Sequence, residues 1–221
     1  MKRLCLPATA FSLAIGLLAS FPTVQGGDKK GDEKGKWVVL FNGKDLTGWK
    51  THPDDKAKWE VKDGVIVGTG TAGHLFSERG DYENFRFRVE AKINDKGNSG
   101  QYFRTKFGGG FPAGYEAQIN STHPDPVKTG SLYPDGRLKL EKGERDKIVI
   151  KDKLHKPAEW FTQEVIAVGN HIIIKVNGKT TVDWTDPKST YLKGHFALQQ
   201  HNEGREVTFR KIEVNELPAS K

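Results

Sequence analysis

From Lys36 onward the chain is a succession of short runs rich in Val, Ile, Phe, Tyr and Trp, each closed by a turn containing Gly, and no segment holds a helical period for ten residues. Examples are "WEVKDGVIVG", "FRFRVEAKI", "QEVIAVGNHIIIKVNGKTTVDW" and "VTFRKIEV". Strands of this length with one apolar face are stable only when paired into sheets that bury that face against a second layer. The expected fold is all-β, a sandwich of two antiparallel sheets. "KDGV", "VGNH" and "VNGK" read as tight hairpins, because Asp or Asn beside Gly accepts the positive φ such turns need. The expected core consists of Phe85, Phe87, Val89, Tyr115, Ile119, Ile166, Phe196, Leu198 and Phe209, or their alternates.

What precedes this domain is different in kind. Lys2 and Arg3 are followed by a mainly apolar run from Ala8 to Phe21 and then by Val24-Gln25-Gly26, the pattern of a secretory signal peptide over 1–26. Residues 27–35, "GDKKGDEKG", read as a charged flexible tether; a single domain is expected over 36–217, with a short tail at 218–221. The chain is therefore expected to be exported, periplasmic or extracellular, with no membrane attachment after cleavage. The only cysteine, Cys5, falls inside the signal, so the core must stabilise the fold without disulfides. The net charge of +7 comes from 35 basic and 28 acidic side chains interleaved along the chain. Nucleic-acid binding calls for a basic stripe or helix, so no nucleic-acid partner is expected.

Several chemistries are set aside by the motifs. "GTGTAG" (68–73) has dinucleotide-fingerprint spacing but opens no helix that would meet a phosphate. H-E-x-x-H, paired cysteines and a G-x-S-x-G elbow are absent from the sequence, as is the close carboxylate cluster of ordinary β-sandwich glucanases. What remains is a polar stripe. In "HFALQQH", alternation puts His195, Gln199 and His201 on one face; in "YEAQIN" it does the same for Glu116, Gln118 and Asn120. Arg104 alternates with Phe103 and is expected on that side as well. Solvated sheet faces favour Lys, Glu and Thr, whereas Gln-x-His beside Glu-x-Gln is short, planar and suited to holding sugar hydroxyls. The loops at 105–114 and 120–136 are long for a compact sandwich, and loops of that kind are frequently functional.

"LFNGKDLTGW", "NSGQYFR", "GYEAQI", "TGSLY", "VNGK", "GHFALQQH" and "VTFRKIEV" occur in an order and spacing that resembles the 3-keto-disaccharide hydrolase family, formerly a domain of unknown function, from about Leu40 to Val214. The resemblance implies a concanavalin A-like jelly roll and cleavage of glycosides whose sugar carries a ketone at carbon 3. Matched motif by motif, it points to Asn98, Arg104, Glu116, Gln118, Tyr133, Gln199 and His201. Two departures, Trp160-Phe161 and Lys211 in "FRKI", fall in segments expected to be structural.

The ketone explains how the bond breaks without a carboxylate pair. It acidifies the hydrogen at carbon 2, a base removes it, the group at carbon 1 leaves, and water adds. His201 is the first candidate for the base and Glu116 the second; Arg104 is expected to stabilise the enolate. Gln118, Gln199, Tyr133 and Asn98 are expected to bind substrate, with His195 and His123 as flanking candidates. No cofactor is expected, although a divalent cation held by His and Glu is an alternative electrophile. The expected partner is an oxidised glycoside or disaccharide, and the oligomeric state is open. The main alternative is a non-catalytic carbohydrate-binding module, with Phe107, Phe111, Tyr133 and Trp160 as aromatic platforms; a scaffold domain is a third class, but no exposed apolar patch in the sequence points to one.

Overall fold

The computed structural model describes residues 36–218; the expected signal peptide, the tether and the last three residues lie outside that range. The strands are β1 (Val38–Val39), β2 (Trp49–Thr51), β3 (Ala57–Lys62), β4 (Val65–Gly70), β5 (Gly73–Ser77), β6 (Phe85–Ile93), β7 (Ser99–Thr105) and β8 (Tyr115–Ile119). After one short helix, α1 (Glu144–Ile148), come β9 (Phe161–Val168), β10 (His171–Val176), β11 (Lys179–Thr185), β12 (His195–Gln200) and β13 (Val207–Glu216). They form two antiparallel sheets packed as a jelly roll. The larger has the order β11-β10-β9-β6-β13-β4-β3, with β1 also paired to β13, and the smaller has the order β2-β5-β12-β7-β8.

β6 shows why the sequence makes this sandwich. Phe85, Phe87, Val89, Ala91 and Ile93 are buried, while Arg86, Arg88, Glu90 and Lys92 between them are partly exposed. Each fully buried Phe or Val contributes roughly 1.5–3 kcal/mol relative to exposure, so a one-residue slip of this strand is strongly disfavoured. The outward residues pair across strands, Arg86 with Glu164, Arg88 with Glu213, and Arg210 with Glu90. Facing β6 from the smaller sheet, Phe196 stacks on Phe87 at 3.9 Å and meets Phe85 edge-on at 4.8 Å. The expected core residues are buried with one correction: Ile166 pairs with Arg86 and is only partly buried, while Val165 and Ala167 point inward. The hairpins close as expected, with positive φ at Asp63-Gly64 and Asn177-Gly178. "GTGTAG" belongs to β4 and the turn into β5, and no helix follows it.

The smaller sheet departs from simple alternation. Every residue of β7 and β8 is buried, on both faces. The inward face meets the larger sheet; the outward face is covered by the 105–114 and 120–136 segments. β8 ends its sheet, and the returning segment occupies its edge, with Tyr133 N–H donating to Glu116 O at 2.8 Å and Gln118 N–H to Ser131 O at 2.9 Å. A polar sheet face roofed by loops has been made into the wall of a cavity.

Candidate functional site

The outward face of the smaller sheet is organised in rows. One row runs Phe76, Ala197, Tyr102, Glu116 across β5, β12, β7 and β8. In the next, Gln199 pairs with His74, and Gln118 pairs with Gly100. A cavity of about 480 Å³ opens over the β7, β8 and β12 end of these rows, a volume suited to a small ligand. Asn98, Tyr102, Glu116, Gln118, Gln199 and His201 line it from the sheet side, and Phe111, His123, Asp125, Tyr133, Asp135 and Arg137 from the loops.

Glu116 is the central group. Its carboxyl is buried and lies over Gly100, where any Cβ would collide with it. Tyr102 Oη donates to Glu116 Oε2 at 2.7 Å and accepts from Gln199 Nε2 at 3.1 Å. Burial pushes the Glu116 carboxyl up to about 8, with Asp125 and Asp135 adding to the rise against the opposing Tyr102 hydrogen bond. At neutral pH this side chain is therefore mostly a neutral acid. The same burial pushes the Tyr102 hydroxyl well above its ordinary range, so it stays a donor.

His201 sits across the cavity on the segment after β12. Its Nδ1 is buried without a hydrogen-bond partner, and its ring is 6.1 Å from that of His123 and 5.9 Å from that of Phe111. Burial lowers its pKa below the usual imidazole value; the neighbouring His123 lowers it further and Asp125 opposes. The neutral, proton-accepting form dominates at neutral pH.

The roof is rigid for local reasons. Asn120, just past β8, accepts from His123 N–H at 3.0 Å and donates through Nδ2 to the carbonyls of Asp125 and Val127. Lys128 Nζ donates to the carbonyls of His123 and Asp125, both at 2.6 Å. His123 Nδ1 accepts from Asp125 N–H at 3.2 Å, and Tyr133 Oη reaches Asp125 Oδ2 at 3.4 Å. This knot is why a segment rich in Pro and Gly holds His123, Asp125 and Tyr133 over the sheet.

Of the residues expected to form the site, His201, Glu116, Gln118, Gln199, Tyr133, Asn98 and His123 line this one cavity. Arg104 does not. Between β12 and β7 the register advances two residues on one strand and three on the other, His195 to Thr105 and then Ala197 to Tyr102. This β-bulge, with Arg104 at φ 51°, reverses the parity and turns the guanidinium inward. There Arg104, 1% exposed, donates to the carbonyls of Glu83, Gly169 and Tyr191. It is a structural bridge, not the enolate electrophile expected from the sequence. His195 is also outside the cavity: Nδ1 bonds Ser77 O at 2.8 Å, and the ring packs near Phe76 and Phe107. It shares the face of Gln199, but it stands at the start of β12 while His201 follows its end, six residue steps or about 20 Å along the strand direction.

Sequence reasoning missed three contributors. Tyr102 alternates with core Phe103 and so had a parity signal pointing outward. His74 is fully buried beside Tyr102, edge-on at 4.8 Å, with neither ring nitrogen hydrogen-bonded, Nδ1 3.9 Å from Asp55 Oδ2, and its pKa driven to about 3, mainly by burial. Asp125 was hidden in a loop with no periodicity. Trp160, an alternative aromatic platform, lies instead on the larger sheet under Arg210 and Lys92. Among the described residues no group of three or more His, Cys, Asp and Glu side chains is arranged to hold a metal ion.

Residues 36–215 match the model of the 3-keto-alpha-glucoside-1,2-lyase-like domain. The chain belongs to this family. No curated protein matches it. The fold of this 3-keto-glucoside lyase-like domain is similar to that of a candidate glycosyl hydrolase from Parabacteroides distasonis, with a TM-score of 0.63 and 24% identity, over 84% of this chain and 95% of the other. A second such structure from the same organism gives 0.62 and 22%, covering 82% and 100%. A carbohydrate-binding module from Bacillus subtilis gives 0.56 and 15%, covering 76% and 96%. The family match and the shared fold together make this chain a jelly-roll member of the 3-keto-alpha-glucoside-1,2-lyase-like domain family.

Proposed function

We propose that this domain cleaves glycosides or disaccharides that carry a ketone at carbon 3, by elimination followed by hydration. The observation that carries the reading is the pairing, in one cavity, of a neutral imidazole with a carboxyl held near pKa 8. A base and an acid that are both in their working forms at neutral pH are what an elimination needs.

In the proposed sequence His201 takes the hydrogen from carbon 2, and the electron pair moves into an enolate on the carbon 3 oxygen. The enolate collapses, the bond from carbon 1 to the glycosidic oxygen breaks, and Glu116 gives its proton to that oxygen. Water then adds across the carbon 1–carbon 2 double bond, so that glycoside and water become a 3-keto sugar and an alcohol. With Arg104 committed elsewhere, the side-chain amides of Asn98 and Gln118 are the groups at hand for the enolate oxygen. Asp125 beside His123 and His201 offsets the positive charge formed when His201 is protonated. Support also comes from the family, described by a 1,2-lyase acting on 3-keto-α-glucosides, and from a fold shared with sugar-binding modules.

The test is a paired incubation of the purified protein with 3-keto glucosides and the same glucosides unoxidised. Release of the second group only from the oxidised member is expected. Equal cleavage of both would overturn the reading, and tight binding of either without cleavage would favour a sugar-binding module.

A further inference from the structure

Phe111 is the one large aromatic side chain left substantially exposed among the described residues, at 57%, and it sits on the rim of the cavity. An isolated exposed apolar residue on a mobile loop would mean little. This one is held. Gly110 N–H donates to Asp55 Oδ1 at 3.2 Å, and Arg137 Nη2 donates to Phe111 O at 3.2 Å. Asp55 is itself anchored, its side chain 3% exposed and its Oδ2 accepting from His74 N–H at 2.8 Å. Lys106 N–H closes the base of the loop on Ala113 O at 2.8 Å. Gly109 packs against the His52 ring so closely that a Cβ there would come to 2.8 Å from Nδ1. The backbone on both sides of the ring is thus fixed by buried or charged groups, and the ring is presented at a set place, 5.9 Å from that of His201.

The floor of the cavity is polar and the rim at Phe111 is apolar. In the proposed reaction the 3-keto ring occupies the polar floor between His201 and Glu116, so the group beyond its glycosidic oxygen extends toward the cavity mouth, where Phe111 is the exposed aromatic side chain on the rim. We infer that Phe111 is the platform for the leaving group and that the natural leaving group carries a flat ring with an apolar face, a second pyranose or an aryl group, in preference to a small alkyl chain. This rests on the reading under Proposed function. Aromatic stacking on such a face adds up to about 1.5 kcal/mol, which corresponds to roughly tenfold in affinity.

The experiment has two readouts, so that loss of turnover and loss of the platform are separable. In the first, the wild type and Phe111→Ala are compared on methyl, p-nitrophenyl and glucosyl 3-keto-glucosides. KM for the two ring-bearing substrates should rise about tenfold in the variant, the methyl substrate should change less than twofold, and Phe111→Trp should restore the wild-type order. In the second, calorimetry with unoxidised methyl and p-nitrophenyl glucosides reads binding without chemistry, and the preference for the ring-bearing ligand should vanish in Phe111→Ala. Equal losses for all three leaving groups, or no change for any, overturns the platform. If the wild type cuts none of the substrates the catalytic reading fails, and the calorimetric preference still decides whether Phe111 is a platform.

Discussion

Tyr102 Oη lies 2.7 Å from Glu116 Oε2 on the adjacent strand, a register pair in which the hydroxyl donates and the carboxyl accepts. The bond favours the ionised carboxylate, yet burial outweighs it and the carboxyl remains protonated to about pH 8. The Tyr102 bond orients the carboxyl, and its burial in the cavity floor sets its charge. His201, half-buried nearby, is shifted the other way by the same cause.

A bell-shaped pH profile follows for kcat/KM. The base must be unprotonated, so the acid limb lies below the ordinary imidazole value of 6.5; the acid must be protonated, so the alkaline limb lies near 8. Steady-state rates between pH 4 and 10 check both limbs. His201→Ala should lower turnover by at least about a hundredfold, with circular dichroism unchanged.

Glu116 should cost the fold stability as pH rises. Its folded pKa is raised above the unfolded value of 4.5, so the stability it contributes is present below 4.5 and is lost between there and about 8. Glu116→Gln, which keeps an acceptor for Tyr102, should therefore melt above the wild type at pH 8 by at least about 3 °C and match it near pH 4. A melting difference independent of pH would show that the carboxyl is not the strained group.

His74 should act in the opposite sense. Its folded pKa of about 3 lies below the ordinary 6.5, so stability present above 6.5 is lost as pH falls toward 3. Replacing it with Phe should flatten the melting curve across that window while leaving the Glu116 trend at higher pH. Thermal melts of the single and double variants separate the two slopes.

Arg104→Lys should cost about 2–4 kcal/mol of stability, because one ammonium replaces a fork that bridges three carbonyls. Activity per folded molecule should stay within about threefold of the wild type, well short of the loss expected from removing an oxyanion donor. A loss of a hundredfold in folded protein would restore Arg104 to the chemistry.

The alternation in β6 and β12 made the sandwich and the face bearing Gln199 and His201 legible from the chain. Glu116 and Gln118 were legible for the same reason. Arg104 was misjudged because a bulge adds one residue to one strand, and nothing in the letters "YFRT" marks where parity breaks. Ile166 was misjudged because "EVIAV" is apolar on both parities, so only its pairing with Arg86 decides which face is inward. His195 was on the correct face, but alternation gives a side and not a position along the strand. His74 and Asp125 come together with the site through sheet order and an Asn120-centred loop knot, neither of which has a period to read.

The most direct measurement is the isotopic content of the sugar product formed in deuterium oxide. If His201 removes the hydrogen at carbon 2 and solvent returns it on hydration, mass spectrometry and proton NMR will find one deuterium at carbon 2 of the 3-keto product, and Glu116→Gln and His201→Ala will lose label and release together. Release of the leaving group with protium retained at carbon 2 would contradict elimination and point to direct displacement at carbon 1.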